Sequence, residues 1–146
     1  MDKFKSIFLG LEIAYGQYQP GERGDNGKQK GKAFIVRGQV TDEHWRNHIE
    51  GKGPALGIIP ITENNTCRWG CIDIDEYNFD HLGLIKSIRD HKLPLIVCRS
   101  KSGGAHVFLF TKENIPASLM QSKLKQMAII LGYEGSEIFQ NKQRYL

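Results

Sequence analysis

Residues 68–75 have the sequence RWGCIDID, in which apolar and polar side chains alternate as they do along a half-buried β-strand. Asp80 follows shortly afterwards and is a favourable N-cap for a helix with Leu84, Ile85 and Ile88 on one side. The stretch therefore predicts a strand followed by an amphipathic helix, which is the beginning of a β-α-β unit.

The chain downstream continues this pattern. The segments LIVCR (residues 95–99) and AHVFLF (residues 105–110) predict two strands joined by the turn KSGG. Pro116 suits the first turn of a second helix, Gly132 suits its end, and a last strand is expected from about Ser136. The order β-α-β-β-α-β predicts an α+β, RRM-like (ferredoxin-like) sheet, with the first and third strands central and both helices on one face.

The chain upstream predicts a smaller N-terminal α/β unit. We expect a short amphipathic helix at the N-terminus, a second helix from Thr41 to Glu50 and a strand from Ala55 to Ile59. Residues 16–31 are rich in glycine and charge, so a long mobile loop is expected there. The end of this loop carries basic candidates for contact with a nucleic-acid backbone, Lys28, Lys30 and Lys32.

Length and composition are those of an ordinary globular protein. With 146 residues we expect one domain, in which residues 1–62 form the N-terminal unit and residues 66–146 the RRM-like unit. Lys and Arg exceed Asp and Glu by 20 to 16, an excess that is compatible with a polyanionic partner without requiring one. The start of the sequence carries acidic residues and lacks a small-residue cleavage site, no apolar run is near the roughly 20 residues of a membrane span, and the number of cysteines is odd. These features predict a cytoplasmic protein with reduced thiols and no membrane partner.

Four polar residues are expected to share one end of the open sheet face. The two isoleucines of CIDID must face the helices, which turns Asp73 and Asp75 to the other face because side chains alternate along a strand. The same argument turns His106 of the third strand and Glu137 of the fourth to that face. The first strand ends where its antiparallel neighbours begin, so three carboxylates and an imidazole should lie close together.

Such a cluster predicts a metal site, because neighbouring carboxylates disfavour each other's ionisation unless a cation neutralises them. Oxygen ligands of this kind suit Mg²⁺ or Mn²⁺, and a pair of such metals stabilises the attacking and leaving oxygens of a displacement at phosphorus. The adjacent turn offers backbone N–H groups, two hydroxyls and two cations to phosphate. It consists of Arg99, Ser100, Lys101, Ser102, Gly103 and Gly104. A nucleoside triphosphate would satisfy both the metals and the turn.

Three motifs resemble the signature motifs of the archaeo-eukaryotic primase (primase-polymerase) superfamily: CIDID, SKSGGAHVFLF and EIF. The upstream segments FKSIFLGLEIAYGQY and HWRNHIEGKGPALGIIPI resemble the primase domains of TOTE conflict systems and related phage proteins. The resemblance implies that Asp73, Asp75 and Glu137 are metal ligands and that His106 contacts the triphosphate. Lys101 and Ser102 would line the phosphate site, with Arg99 as a further candidate.

The resemblance also implies an activity and a set of partners. The activity would be DNA primase or polymerase chemistry, in which NTP or dNTP is transferred to a 3′-hydroxyl on a single-stranded DNA template. A helicase or nuclease of the same system would be a partner, and the host would be a bacterium, either with its own protein or with that of a phage. Relatives continue beyond the third motif, so we expect this chain to be a catalytic core truncated at its C-terminus.

Other interpretations remain open at this point. An RRM-like module could bind single-stranded nucleic acid without catalysis, with Phe108 and Phe110 either stacking on bases or covered as core. Another metal-dependent enzyme with a similar sheet, such as a cyclase, would keep the carboxylates. A structural zinc site is a further alternative, since its ligands would have suitable spacing: Cys67, Cys71, His44 and His48.

Overall fold

A computed structural model describes residues 2–23 and 29–139 of the chain. Four helices and seven strands follow one another in these ranges. They are α1 (Asp2–Ile7), β1 (Ala14–Arg23), β2 (Gln29–Arg37), α2 (Asp42–Ile49), β3 (Ala55–Gly57), β4 (Thr66–Ile74), α3 (His81–Asp90), β5 (Leu95–Arg99), β6 (Ala105–Pro116), α4 (Ala117–Leu131) and β7 (Glu137–Phe139).

The strands form two antiparallel sheets. The N-terminal sheet has the order β2-β1-β3, and the second sheet has the order β5-β6-β4-β7. In the second sheet the first and third strands of the β-α-β-β-α-β unit, β4 and β6, are central. This is the ferredoxin-like order, so the predicted α+β fold class is confirmed.

The main core lies between the second sheet and helices α3 and α4. Alternate residues of β4 and β6 point into it, and the helices contribute one apolar stripe each. The core side chains that are at most 5% exposed include Ile72, Ile74, Leu84, Ile88, Val107, Met120 and Leu124. The opposite face of the sheet is therefore the one that carries the polar residues.

Local signals identified the helix ends correctly. The hydroxyl of Thr41 accepts from the backbone N–H of His44, and the carboxylate of Asp80 accepts from that of Gly83. Helix α4 ends at Gly132, which adopts the left-handed conformation with φ of 81°. Pro116 lies one position earlier than expected, as the N-cap of α4. None of the helices in the described residues is long and apolar enough to cross a membrane.

The loop expected over residues 16–31 is wrong. Residues 16–23 and 29–31 belong to strands β1 and β2, which pair as an antiparallel hairpin, for example Gln17 with Phe34 and Tyr18 with Ala33. Residues 24–28, which include Lys28, lie outside the described residues. Glycine was misleading here because it fills a packing role: a Cβ at Gly31 would lie 2.2 Å from the ring of Tyr18. These two strands form through backbone hydrogen bonds, and a polar composition does not reveal such pairing.

The N-terminal segment covers part of the open face of the second sheet. The ring of Phe8 lies 5.2 Å from that of Trp69 and 5.6 Å from those of Phe108 and Phe110. The indole of Trp69 donates to the carbonyl of Leu9 over 2.8 Å. Phe108 and Phe110 are thus covered by the N-terminal segment, and they do not form an open platform for bases.

Candidate active site

Asp73 lies at the centre of the predicted polar group. In the register of the sheet it is directly opposite His106 on β6 and directly opposite Glu137 on β7. The Nε2 atom of His106 is 3.4 Å from Oδ1 of Asp73, and these side chains are 40% and 23% exposed. The geometry places three of the four residues side by side at one end of the open face.

Asp75 differs from the other three. Strand β4 ends at Ile74, one residue before the expected end, so Asp75 begins the following loop and is exposed. Because Asp75 lies beyond the paired strand, the loop and not the sheet determines the direction of its carboxylate. The alternation of side chains along the strand therefore determines the face of Asp73, but it does not determine that of Asp75.

The carboxylate oxygens suit a hard divalent cation, but the side chains are not arranged around a common point. Residues opposite each other in an antiparallel pair have Cβ atoms about 5 Å apart, which brings the Asp73 and Glu137 carboxylates within reach of a shared cation. Nevertheless, the described residues contain no group of three or more His, Cys, Asp or Glu side chains arranged to hold a metal ion. The chemistry of the site fits Mg²⁺ or Mn²⁺, with two carboxylates adjacent and the third on the loop.

The turn of residues 100–104 lies beside the carboxylates and is tightly built. The N–H of Ser100 donates to the carbonyl of Gly104 over 2.9 Å, and the N–H of Gly103 donates to the carbonyl of Ser100 over 3.1 Å. Gly103 has φ of +98°, and a Cβ at Gly104 would lie 2.0 Å from the carbonyl oxygen of Ile74. Both glycines are therefore required by the backbone, one for its conformation and one for its close approach to β4.

Two of the backbone N–H groups that the turn was expected to offer to phosphate are engaged within it, since those of Ser100 and Gly103 both donate inside the turn. The two hydroxyls, Ser100 Oγ and Ser102 Oγ, lie 3.0 Å apart, with Ser100 buried and Ser102 exposed. Arg99 and Lys101 are exposed at the same rim. The polar groups that this turn presents are therefore mainly those of its side chains and not those of its backbone.

The sequence analysis missed two residues that contact the turn, Tyr18 and His81. The ammonium group of Lys101 lies over the ring of Tyr18, 4.9 Å from its centroid. Nε2 of His81 is 2.9 Å from the carbonyl oxygen of Gly104. Tyr18 falls in the segment that was expected to be a loop, and His81 carries no local signal beyond following the helix cap Asp80.

A cavity of about 620 Å³ separates the two sheets and opens at the polar group. The N-terminal sheet lines one side and the open face of the second sheet lines the other. Its walls are largely apolar and include Tyr18, Phe34, Leu56, Ile59, Cys71 and Phe108, with His106 and Glu137 among the polar lining residues. A ligand with an apolar, flat part and an anionic part would match this division.

The buried thiol of Cys71 adds no charge to this cavity. Burial, together with the neighbouring carboxylate of Asp73, raises the pKa of Cys71 from 9.0 to about 12. The thiol is therefore neutral at physiological pH.

The residues of the zinc alternative do not come together. Cys67 lies in the helix-side core, whereas Cys71 lines the cavity on the other face of the sheet. The ring of His44 contacts the hydroxyl of Tyr15 and the backbone N–H of Thr41, and Nδ1 of His48 accepts from the N–H of Leu56. The irregular pairing of β4 with β6 after Cys67 explains why the two cysteines diverge.

Comparison with known families identifies the class of domain. Residues 18–136 match the family model described as "TOTE conflict system, Archaeo-Eukaryotic Primase domain", and the chain belongs to this family. A search of curated proteins found no match. The matched range includes Asp73, Asp75, the 100–104 turn and His106, and it ends one residue before Glu137. The chain thus contains a primase-like domain, of a superfamily that binds nucleic acid and nucleotides and generally uses divalent metals.

Proposed function

We propose that this domain is a DNA primase or polymerase that transfers nucleotides from NTP or dNTP to a 3′-hydroxyl on a single-stranded DNA template. The observation that carries the proposal is the sheet register, which makes Asp73 the direct neighbour of both His106 and Glu137. The 100–104 turn and the mouth of the cavity lie beside this group. The primase family of the chain supports the same chemistry.

Asp73, Asp75 and Glu137 are the proposed ligands of two Mg²⁺ or Mn²⁺ ions. When bound, these ions would stabilise the negative charge on the attacking and leaving oxygens. Asp73 is held by pairing on both sides, so it supplies a fixed carboxylate. Asp75, on the loop, can adjust its position as the site fills.

The cationic and hydroxyl side chains are proposed to hold the triphosphate. His106 donates a hydrogen bond to a phosphate oxygen, Lys101 supplies a positive charge, and Ser102 donates from its hydroxyl. Arg99 lies at the same rim and is a further candidate. The apolar walls of the cavity accept the base and sugar and exclude water from that part of the nucleotide.

The partners follow from this role. Single-stranded DNA would enter at the exposed side of the site, and Lys32, an exposed cation of β2, is a proposed contact for its backbone. A helicase or nuclease of the same conflict system would supply or process the template. We place this activity in the cytoplasm of a bacterial host, with the protein encoded by the host or by a phage.

A non-catalytic nucleic-acid-binding module is less well supported. Phe8 covers the aromatic residues that an RRM-like sheet would use for stacking. A pair of carboxylates in the middle of the sheet would also repel a phosphate backbone in the absence of a cation.

Primer synthesis and extension on single-stranded DNA, with Mg²⁺ or Mn²⁺, test the proposal. The double variant Asp73→Asn/Asp75→Asn should lose at least about 100-fold of the incorporation rate while unfolding at a similar temperature. Asp90→Asn is the matched control, because Asp90 is an exposed carboxylate paired with Lys86 on α3. Metal-independent binding of single strands without any incorporation would contradict the enzyme and favour the binding module.

A further inference from the structure

The carbonyl oxygen of Gly104 accepts two hydrogen bonds. The N–H of Ser100 donates to it over 2.9 Å and closes the 100–104 turn. Nε2 of His81 lies 2.9 Å from the same oxygen. A carbonyl oxygen can only accept, so Nε2 must carry the hydrogen, in the neutral ring as well as in the protonated one. The bond therefore joins the turn to the first residue of helix α3, 23 positions away.

The ring of His81 is itself held in place. The ring of Phe79 meets it edge-on, with centroids 5.0 Å apart and planes at 85°, and Phe79 packs against Tyr133 beyond α4. The carboxylate of Asp80 caps α3 through the N–H of Gly83 and so fixes the backbone on the other side. A donor that is already oriented loses little conformational entropy when it holds the turn.

Gly104 also sets how close the turn comes to the carboxylates. Its Cα is so near the end of β4 that an added Cβ would be 2.0 Å from the carbonyl oxygen of Ile74 and 3.2 Å from the N–H nitrogen of Glu76. Ile74 is flanked in sequence by Asp73 and Asp75. Any displacement of the Gly104 carbonyl would therefore change the distance between the phosphate-binding side chains and the proposed metal ligands.

We propose that His81 is a positioning residue, which holds the 100–104 turn in the conformation that binds the triphosphate. This inference rests on the proposed function, since it assigns His81 to the phosphate side of that same site. His81 acts through the Gly104 carbonyl and makes no contact with the nucleotide itself. Its removal would allow the turn to open and spread over several conformations, which weakens binding without removing a phosphate contact.

Calorimetric titration of the full chain with dGTP and with GTP, in the presence of Mg²⁺, measures this effect. His81→Ala should weaken triphosphate affinity about tenfold, which corresponds to loss of one partly buried hydrogen bond. His81→Gln keeps an amide donor near the position of Nε2, so it should restore most of the affinity. His91→Ala is the matched control, because His91 lies exposed at the other end of the same helix, where its ring bonds to the carbonyl of Ser87.

Two readouts separate positioning from a merely structural role. Hydrogen exchange of the Ser100 amide should accelerate in His81→Ala and not in His91→Ala, and ¹⁵N spectra of the wild-type ring should show hydrogen on Nε2. Unchanged affinity in His81→Ala, with or without a lower melting temperature, would overturn the positioning role. A wild-type chain that binds no triphosphate would instead overturn the proposed function, and the exchange of Ser100 would still report whether His81 holds the turn.

Discussion

Asp73 shows how much a single position depends on its strand. It is the last polar residue of β4 and is paired on both sides, so its backbone cannot move without disturbing three strands. Asp75, two residues later, has lost both partners. The two aspartates of the same motif therefore differ in how the backbone holds them, one by pairing on both sides and the other by the loop alone.

The cysteines give a prediction at the scale of single residues. Cys98 is exposed on β5, whereas Cys67 and Cys71 are 0% and 3% exposed, and burial raises the pKa of Cys71 to about 12. Because the thiolate is the reactive form, iodoacetamide at pH 8 should modify Cys98 alone in the folded protein. Mass spectrometry should find one adduct, and all three thiols should react after unfolding in guanidinium.

The control for this experiment is Cys98→Ser, which should take up no label while folded. Labelling of Cys71 before unfolding would contradict the burial of its thiol.

The raised pKa of Cys71 also makes the stability of the folded state depend on pH. This contribution is fully present below pH 9, because the ordinary pKa of the thiol is 9.0, and it is lost as the pH rises towards 12. Stability should therefore fall on the alkaline side for this reason.

At the scale of elements, the hairpin of β1 and β2 connects the two sides of the site. Tyr18 lies on β1, lines the cavity and carries the Lys101 ammonium over its ring. Gly31 on β2 leaves the space that this ring occupies. A glycine in the N-terminal sheet thus influences a lysine in the 100–104 turn of the second unit.

Gly31→Ala tests this connection. An added Cβ would lie 2.2 Å from Tyr18 and 2.6 Å from the backbone carbonyl oxygen of Gln19, so both the ring and the strand must shift. We expect the free energy of unfolding to fall by about 1–3 kcal/mol in urea denaturation, as for other overpacking substitutions. Triphosphate affinity should fall as well, since the displaced ring no longer supports Lys101.

Gly135→Ala is the matched control for the hairpin variant. A Cβ at Gly135 meets nothing within 4 Å, and its φ lies outside the left-handed region, so the variant should have wild-type stability and affinity. Equal stability of the two alanine variants would show that Tyr18 does not occupy the space beside Gly31.

The difficulty of predicting β1 and β2 has a physical origin. The first half of β6 alternates buried and half-buried residues, and the polar residues of the CIDID stretch of β4 alternate with isoleucines of the core, so both strands show a period of two in sequence. The first half of the hairpin has few residues to bury, and its stability comes from backbone hydrogen bonds, for which glycine and lysine serve as well as valine. Composition alone therefore indicated a loop.

At the scale of the whole molecule, α1 and the residues after it hold the two sheets together. Phe8 contacts three aromatic rings of the second sheet, Phe4 contacts Trp45 of α2, and Lys5 forms an ion pair with Asp42. The cavity between the sheets is lined by residues of both.

Phe8→Ala should destabilise the whole molecule, because it removes a ring that packs against Trp69, Phe108 and Phe110. Large-to-small substitutions of this kind cost about 2–4 kcal/mol, which urea denaturation will measure as a lower midpoint. Ile7→Ala, at the end of α1 next to Phe8, is the control, since Ile7 is 45% exposed, and it should cost less than about 1 kcal/mol. Equal effects of the two substitutions would mean that Phe8 does not join the sheets.

The sequence by itself determined the β-α-β-β-α-β order, the helix caps at Thr41 and Asp80, and the face of the sheet to which Asp73 and His106 point. These features are local or periodic, because a cap is a short-range hydrogen bond and a face follows from alternation. The tertiary structure alone decided the hairpin, the cover by Phe8, the support of Lys101 by Tyr18 and the bond from His81 to Gly104. Each of these joins residues that are distant in the chain and carry no periodic pattern, so only the folded chain brings them together.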